Sequence, residues 1–166
     1  SFETHGKRAA DLALRILGST QRRLIGSDGV RRIADSVREV DDNAMRVRVD
    51  AAAAGLADEL GDQALALDLW STVAGATTDD AIAARAEFGA ASSAYHLGLR
   101  DDARHWLRRS RSRSTRDAAL DIASDALDAR ILLWLEHQTD EGRVVALRGD
   151  VERGVPRGTR TRASEP

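Results

Sequence analysis

Three kinds of side chain in this sequence have types and spacings that chemistry uses. Paired aspartates at Asp41-Asp42, Asp79-Asp80 and Asp101-Asp102 have the look of general acid–base partners. Histidines stand at His5, His96, His105 and His137, and His96 and His105 flank one predicted turn. A basic run from Ala103 to Arg116 holds Arg104, Arg108, Arg109, Arg111, Arg113 and Arg116 with no acid among them. Arg104, Arg108 and Arg111 share one helical face, an arrangement able to grip phosphates with strongly salt-dependent affinity.

Each of these has a plainer reading. All three aspartate pairs fall at predicted helix starts, where carboxylates cap free amides and complement the helix dipole. No histidine is spaced from another histidine or a carboxylate as in a known zinc motif. The arginine face has Asp101, Asp102, Asp117 and Asp121 near it in sequence as ion-pair partners, and the formal net charge is −2. No glycine-rich phosphate loop, nucleophile elbow or dinucleotide fingerprint is present. Ala57, Gly61 and Leu67 have helix-turn-helix spacing, but the second helix would carry Asp62 and Asp68 toward DNA phosphates, with no Arg or Lys before Arg85. The expectation is therefore a non-catalytic chain with no metal and no cofactor, and a nucleic-acid-binding surface at Arg104, Arg108, Arg109 and Arg111 as the alternative.

The elements that position these residues are helices. The first proline is Pro156, so about 150 residues run without the main helix breaker, and aromatic residues are few. The 166 residues suit one domain of ordinary core size. There is no cysteine, which excludes disulfides and thiolate sites and allows a reducing cytoplasm. No apolar run approaches the ~18 residues of a membrane span, and no secretory signal opens the chain. A start at Ser1 without methionine is compatible with a fragment of a longer protein.

Apolar spacing and cap signals predict eight helices: about 4–17, 27–40, 43–60, 62–74, 78–97, 101–111, 115–137 and 139–151. Ser27 or Asp28 is the expected cap of the second, and Ser114 with Asp117 of the seventh. Residues 21–25 are open between a continued helix and a separate turn. Residues 154–166 read as a flexible tail or linker after a helical-repeat domain at 1–153. Trp70, Trp106 and Trp134 lie on apolar stripes, fit for core packing or for lining a groove.

One stretch occurs twice. Residues 52–73 and 89–110 both run a small-residue helix into Leu-Gly, a short polar step and a second helix. An offset of 37 residues superposes Leu60-Gly61 on Leu97-Gly98, Ala66 on Ala103 and Trp70 on Leu107. Such recurrence marks a helical repeat array, in which stacked antiparallel hairpins, four of them here, bury stripes that none can bury alone.

With Ala53-Ala54, Gly61, Ala66 and Trp70, then Ala90-Ala91, Gly98, Ala103 and Leu107, the two central hairpins resemble tetratricopeptide repeats. The resemblance covers residues 44–111; the period is 37 rather than about 34, and no proline closes a repeat. It implies an all-α superhelix of hairpins whose first helices line a concave binding face. The polar candidates on that face are Arg46, Asp50, Arg85, Ser92, His96, Asp121, Ser124 and Asp128. The degenerate Ala/Arg/Asp-rich repeats are also similar to the repeat segment of large ATPase-linked LuxR/MalT-type bacterial transcription regulators. That likeness implies a cytoplasmic module that receives a protein, a peptide or a small effector, with no membrane contact. An apolar stripe left exposed on the first or last helix would imply a homo-oligomer.

Overall fold

The computed structural model describes the backbone of residues 2–19, 21–113 and 118–152, and the side chains of residues 6–19, 21–113 and 118–137. The protein is all-α. Among the described residues seven α-helices follow in order: α1 (Phe2–Leu17), α2 (Gly26–Ser36), α3 (Asn43–Leu60), α4 (Gln63–Ala76), α5 (Asp80–His96), α6 (Arg100–Ser112) and α7 (Ala118–Glu152). A 3-10 turn at Arg22–Ile25 joins α1 to α2, which settles the character of residues 21–25. The chain divides into two compact units, Ser1–Ile131 and Leu132–Pro166.

The repeated Leu-Gly step is a pair of matching joints. Gly61 and Gly98 have φ of +79° and +76°, the left-handed region in which a Cβ is strained. At the first joint the Gly61 amide donates to the Asp58 carbonyl and the Asp62 amide to that of Ala57, both at 3.0 Å. At the second, the Gly98 amide donates to Tyr95 at 3.0 Å and the Leu99 amide to Ala94 at 2.9 Å. These are two Schellman endings, each satisfying carbonyls the helix would leave orphaned. Past them the chain reverses, giving the antiparallel hairpins α3–α4 and α5–α6, with α4 packed on α5.

The same offset governs burial. Ala53 and Ala90, Ala54 and Ala91, Ala57 and Ala94, and Ala66 and Ala103 are all fully buried. These small side chains let helices approach closely. The main core gathers Ala10, Leu17, Val30, Val37, Val49, Leu56, Leu65 and Leu69 from α1 to α4. A smaller cluster of Val47, Val73, Ala74 and Ala86 carries it across to α5.

The caps are as expected at two of the three aspartate pairs. Asp42 accepts from the Met45 amide at 3.0 Å, and Asp79 accepts from the amides of Ala81 and Ile82 at 2.8 and 3.1 Å. Asp101 and Asp102 instead lie inside the first turn of α6, whose start at Leu99 has no side-chain cap. The joint at Gly98 has already turned the chain there, and the two carboxylates act only through the dipole. Likewise α2 opens at Gly26, one residue before the expected Ser27, and carries no side-chain cap.

Two further expectations are corrected. The predicted seventh and eighth helices are one: α7 runs unbroken for 35 residues. Gln138-Thr139-Asp140 contains neither Pro nor Gly, and Gly142 and Gly149 cost only ~1 kcal/mol each, too little to stop a helix. The four hairpins are also not all present. Helices α1 and α2 each pack more extensively on α3 than on each other, and all three share the main core. Two central hairpins remain. The expected cap at Ser114 and Asp117, and the tail at 154–166, lie outside the described residues.

Candidate binding groove

Helices α3 and α5 are the first helices of the two hairpins, and between them runs an apolar groove of about 380 Å³. Val47, Arg48 and Ala51 of α3 form one wall, and Ile82 and Arg85 of α5 the other. Trp70 and Val73 of α4 lie at the base, and Leu14 of α1 closes one side. The repeat explains the two cations: Arg48 and Arg85 are 37 residues apart and so occupy equivalent positions on successive helices. No acidic side chain lines the groove.

Trp70 is fixed from two sides. Its Nε1–H donates to Asp58 Oδ2 at 2.7 Å. The other oxygen of that carboxylate accepts from the Ser93 hydroxyl at 3.0 Å, tying α3, α4 and α5 together. The indole lies so close to Gly89 that a Cβ there would stand 2.7 Å from the ring. Glycine at 89 is therefore required by a close approach, although it weakens the middle of α5. The half-buried indole both packs and lines a groove, the two roles the sequence allowed.

The polar candidates disperse. Arg85 lines the groove. Arg46 donates to the Val40 carbonyl at 2.7 Å and to Asn43 Oδ1 at 3.2 Å, bracing the entry to α3. Asp50 is half-buried, and burial raises its pKa above the ordinary 3.8, against the pull of Arg38 and Arg46 and with a smaller push from Asp68. Ser92 is half-buried, and His96 is exposed with its ring edge-on to Tyr95. Asp121 is exposed. Ser124, expected on an exposed face, is 2% exposed: it falls on the side of α7 that carries Leu127 and Ile131 into the core. Asp128 is an ion-pair partner of Arg111 at 2.9 Å.

Three arginines of the basic run, Arg109, Arg111 and Arg113, are paired, by partners other than those expected. Glu87, on α5 and fully buried, meets Arg109 at 3.0 Å and Arg113 at 2.7 Å. Arg113 also reaches Asp80 at 3.2 Å, and Arg109 stacks over Trp106 at 4.9 Å. The Glu87 hydrogen bond holds the Arg113 guanidinium well above its usual pKa. Arg111 bridges Asp125 at 2.6 Å and Asp128. The expected partners Asp101, Asp102 and Asp121 take no part in these bridges, and Asp117 lies outside the described residues. Sequence proximity misled because the acids come across the α5–α6 and α6–α7 contacts, not along α6. Arg104 and Arg108 are exposed.

Glu87 is saturated by two guanidiniums, and the charges acting on Asp50 are Arg38, Arg46 and Asp68. Among the described residues no cluster could hold a metal ion, and no helix is long and apolar enough to cross a membrane. On α1 and the 3-10 turn, Leu12 and Leu24 stay exposed, the surface that self-association through the first helix would use.

As groove residues the sequence pointed to Trp70 and Arg85, and it passed over Leu14, Val47, Arg48, Ala51, Val73 and Ile82. A signal that could have found Arg48 is its 37-residue offset from Arg85. No protein-family model, curated protein or solved structure matches the chain.

Proposed function

We propose that this chain is a binding module without chemistry of its own, and that its ligand seats an apolar group in the groove between α3 and α5. The observation that carries this reading is the groove itself: a concave, mostly apolar site with a few convergent polar groups is the usual form of a ligand site. The recurring joints at Gly61 and Gly98 support a tetratricopeptide-like array, in which the first helices of successive hairpins offer the binding face. On this reading the module serves a larger bacterial regulatory protein in the cytoplasm, and receives a peptide segment of a protein partner or a small effector.

A neutral apolar dye tests the groove without reference to charge. Phenylnaphthylamine titrated into the protein gives a saturable rise in emission with one site per chain. Ile82→Glu, which places a charge on the groove wall, and Ala51→Phe, which fills it, each weaken binding by about tenfold, the scale of one desolvated polar group or one lost apolar seat. Dye binding that both variants leave unchanged overturns the groove as the site.

A further inference from the structure

Helix α7 is apolar on two sides. Its inner side carries Ser124, Leu127 and Ile131, all buried. Its outer side carries Ala119, Ile122, Ala126 and Ala129, all exposed, with Ile122 at 72%. The steps between these four are three, four and three residues, and Leu133 follows four further on in the sequence. A 3-4 alternation keeps a narrow stripe in line along a helix, as in the a and d seam of a coiled coil. With Ala119 and Ala126 at a, Ile122 and Ala129 fall at d. Ser124 and Ile131 then fall at f, the position turned away from the seam.

Charged residues make up 31% of the chain, yet five successive seam positions hold none, so this is not an ordinary solvated face. Leu12 of α1 differs: Arg8, Asp11 and Arg15 surround it, and no stripe forms there. The flanks of the seam select its neighbour. Asp125 is at g and Arg130 at the next e, and both are exposed. In a parallel pair of identical helices, a g residue faces the e residue five further along the other helix. Asp125 of each copy then meets Arg130 of the other, once on either side of a two-fold axis. An antiparallel pair would set the two Asp125 flanks together and the two Arg130 flanks together. The Arg111 bridge to Asp125, at 2.6 Å, uses Oδ1 and leaves that side chain 80% exposed.

We infer that the outer face of α7 pairs with the same face of a second copy of this chain, the two helices parallel and in register, with Ile122 as the anchor and Asp125 against Arg130 on either flank. The alanines at 119, 126 and 129 let the two helices approach to the short end of the usual range, ~8 Å between axes. The pairing stands apart from the groove, because no groove residue lies on α7.

Sedimentation equilibrium of the full chain, from micromolar to millimolar concentration, tests this and is expected to show monomers in equilibrium with dimers. Ile122→Glu raises the dimer Kd at least about tenfold, the scale of burying one unpaired charge. Arg130→Asp, which sets acid against acid, raises it about threefold or more, and adding Asp125→Arg to it brings the Kd back to within about threefold of the parent. The chain has no cysteine, so Ala126→Cys alone gives a disulfide-linked dimer under mild oxidation, as an in-register parallel pair requires. Circular dichroism at high dilution, where every variant is monomeric, checks that each keeps the helicity of the parent. A parent chain that stays monomeric at millimolar concentration overturns the inference and leaves the stripe to a helix of another protein. A dimer that Ile122→Glu leaves intact also overturns it and places association elsewhere, as at Leu12 and Leu24. Failure of Ala126→Cys to cross-link the dimer, or of the reversed charges to restore it, overturns the parallel register.

Discussion

Two acids at equivalent repeat positions show how much a single environment decides. Asp50 and Glu87 are 37 residues apart and both face inward, yet only Glu87 has guanidiniums on it. A fully buried carboxylate survives only when paired and hydrogen-bonded, and the two arginines on Glu87 supply that. Asp50 is half-buried, and burial outweighs its more distant arginines, so its pKa is raised. The sign of the consequence follows from linkage. A carboxyl whose folded pKa exceeds its unfolded value favours folding below the unfolded value, near 3.8, and that contribution is lost as pH rises through the folded pKa. At neutral pH the ionised Asp50 therefore works against the fold. Asp50→Asn removes that penalty, so its urea midpoint at neutral pH lies above that of the parent protein. The two midpoints converge as the pH falls below the ordinary aspartate value. A variant that is less stable than the parent at neutral pH would show that Arg38 and Arg46 outweigh burial after all.

Between elements, the decisive contact is Trp70 of α4 against Gly89 of α5. In an isolated helix, alanine at 89 would be better than glycine by ~1 kcal/mol. Here the added methyl meets the indole at 2.7 Å, and the ring cannot easily retreat, because its Nε1–H is bonded to Asp58 and Asp58 to Ser93. Overpacking of this kind costs roughly 1–3 kcal/mol, so the sign of the propensity effect reverses. Gly89→Ala is expected to lower the unfolding free energy by about that amount in urea, without change in the slope. A stabilised Gly89→Ala would mean that the indole swings out of the way. The same contact marks what a sequence shows and what it hides. Asp42 and Gly61 delimit α3 as Asn43–Leu60, because a cap and a left-handed stop are local chemistry. The junction at 138–140 misled, since polar residues alone do not stop a helix. The groove was hidden for another reason: apolar residues such as Ala51 and Ile82 look alike in sequence whether a neighbouring helix covers them or not. Arg85 was a candidate from the sequence, whereas Arg48 was not, although the 37-residue offset relates the two.

At the scale of the whole molecule, the question is how much of the chain the fold needs. The buried apolar residues among those described run from Ala10 to Ile131, and the compact unit Ser1–Ile131 encloses all of them. Within this unit each hairpin leans on its neighbour: α3 on α4, α4 on α5 and α5 on α6, with α1 and α2 closing the other end on α3. Stability in such an arrangement is close to a sum over adjacent contacts, so material outside the unit contributes only through whatever it touches directly. The part of α7 inside the unit supplies Ser124, Leu127 and Ile131, and its Asp125 and Asp128 hold Arg111. A chain ended after His137 keeps all of these and retains more than one turn of helix beyond Ile131, enough to avoid fraying into the core. It is expected to unfold cooperatively in urea within about 1 kcal/mol of the full chain, and to bind phenylnaphthylamine with unchanged affinity, because every groove residue lies before it. A chain ended after Ser112 is the informative opposite. It leaves Arg111 without Asp125 and Asp128, removes Arg113 from Glu87 and takes away the buried Leu127 and Ile131. Glu87 then keeps Arg109 alone, and loss of one charged hydrogen-bond partner costs roughly 1.5–3 kcal/mol. Equal stability of the two truncated chains would remove α7 from the account of the fold, and an unfolded longer one would place essential contacts beyond residue 137.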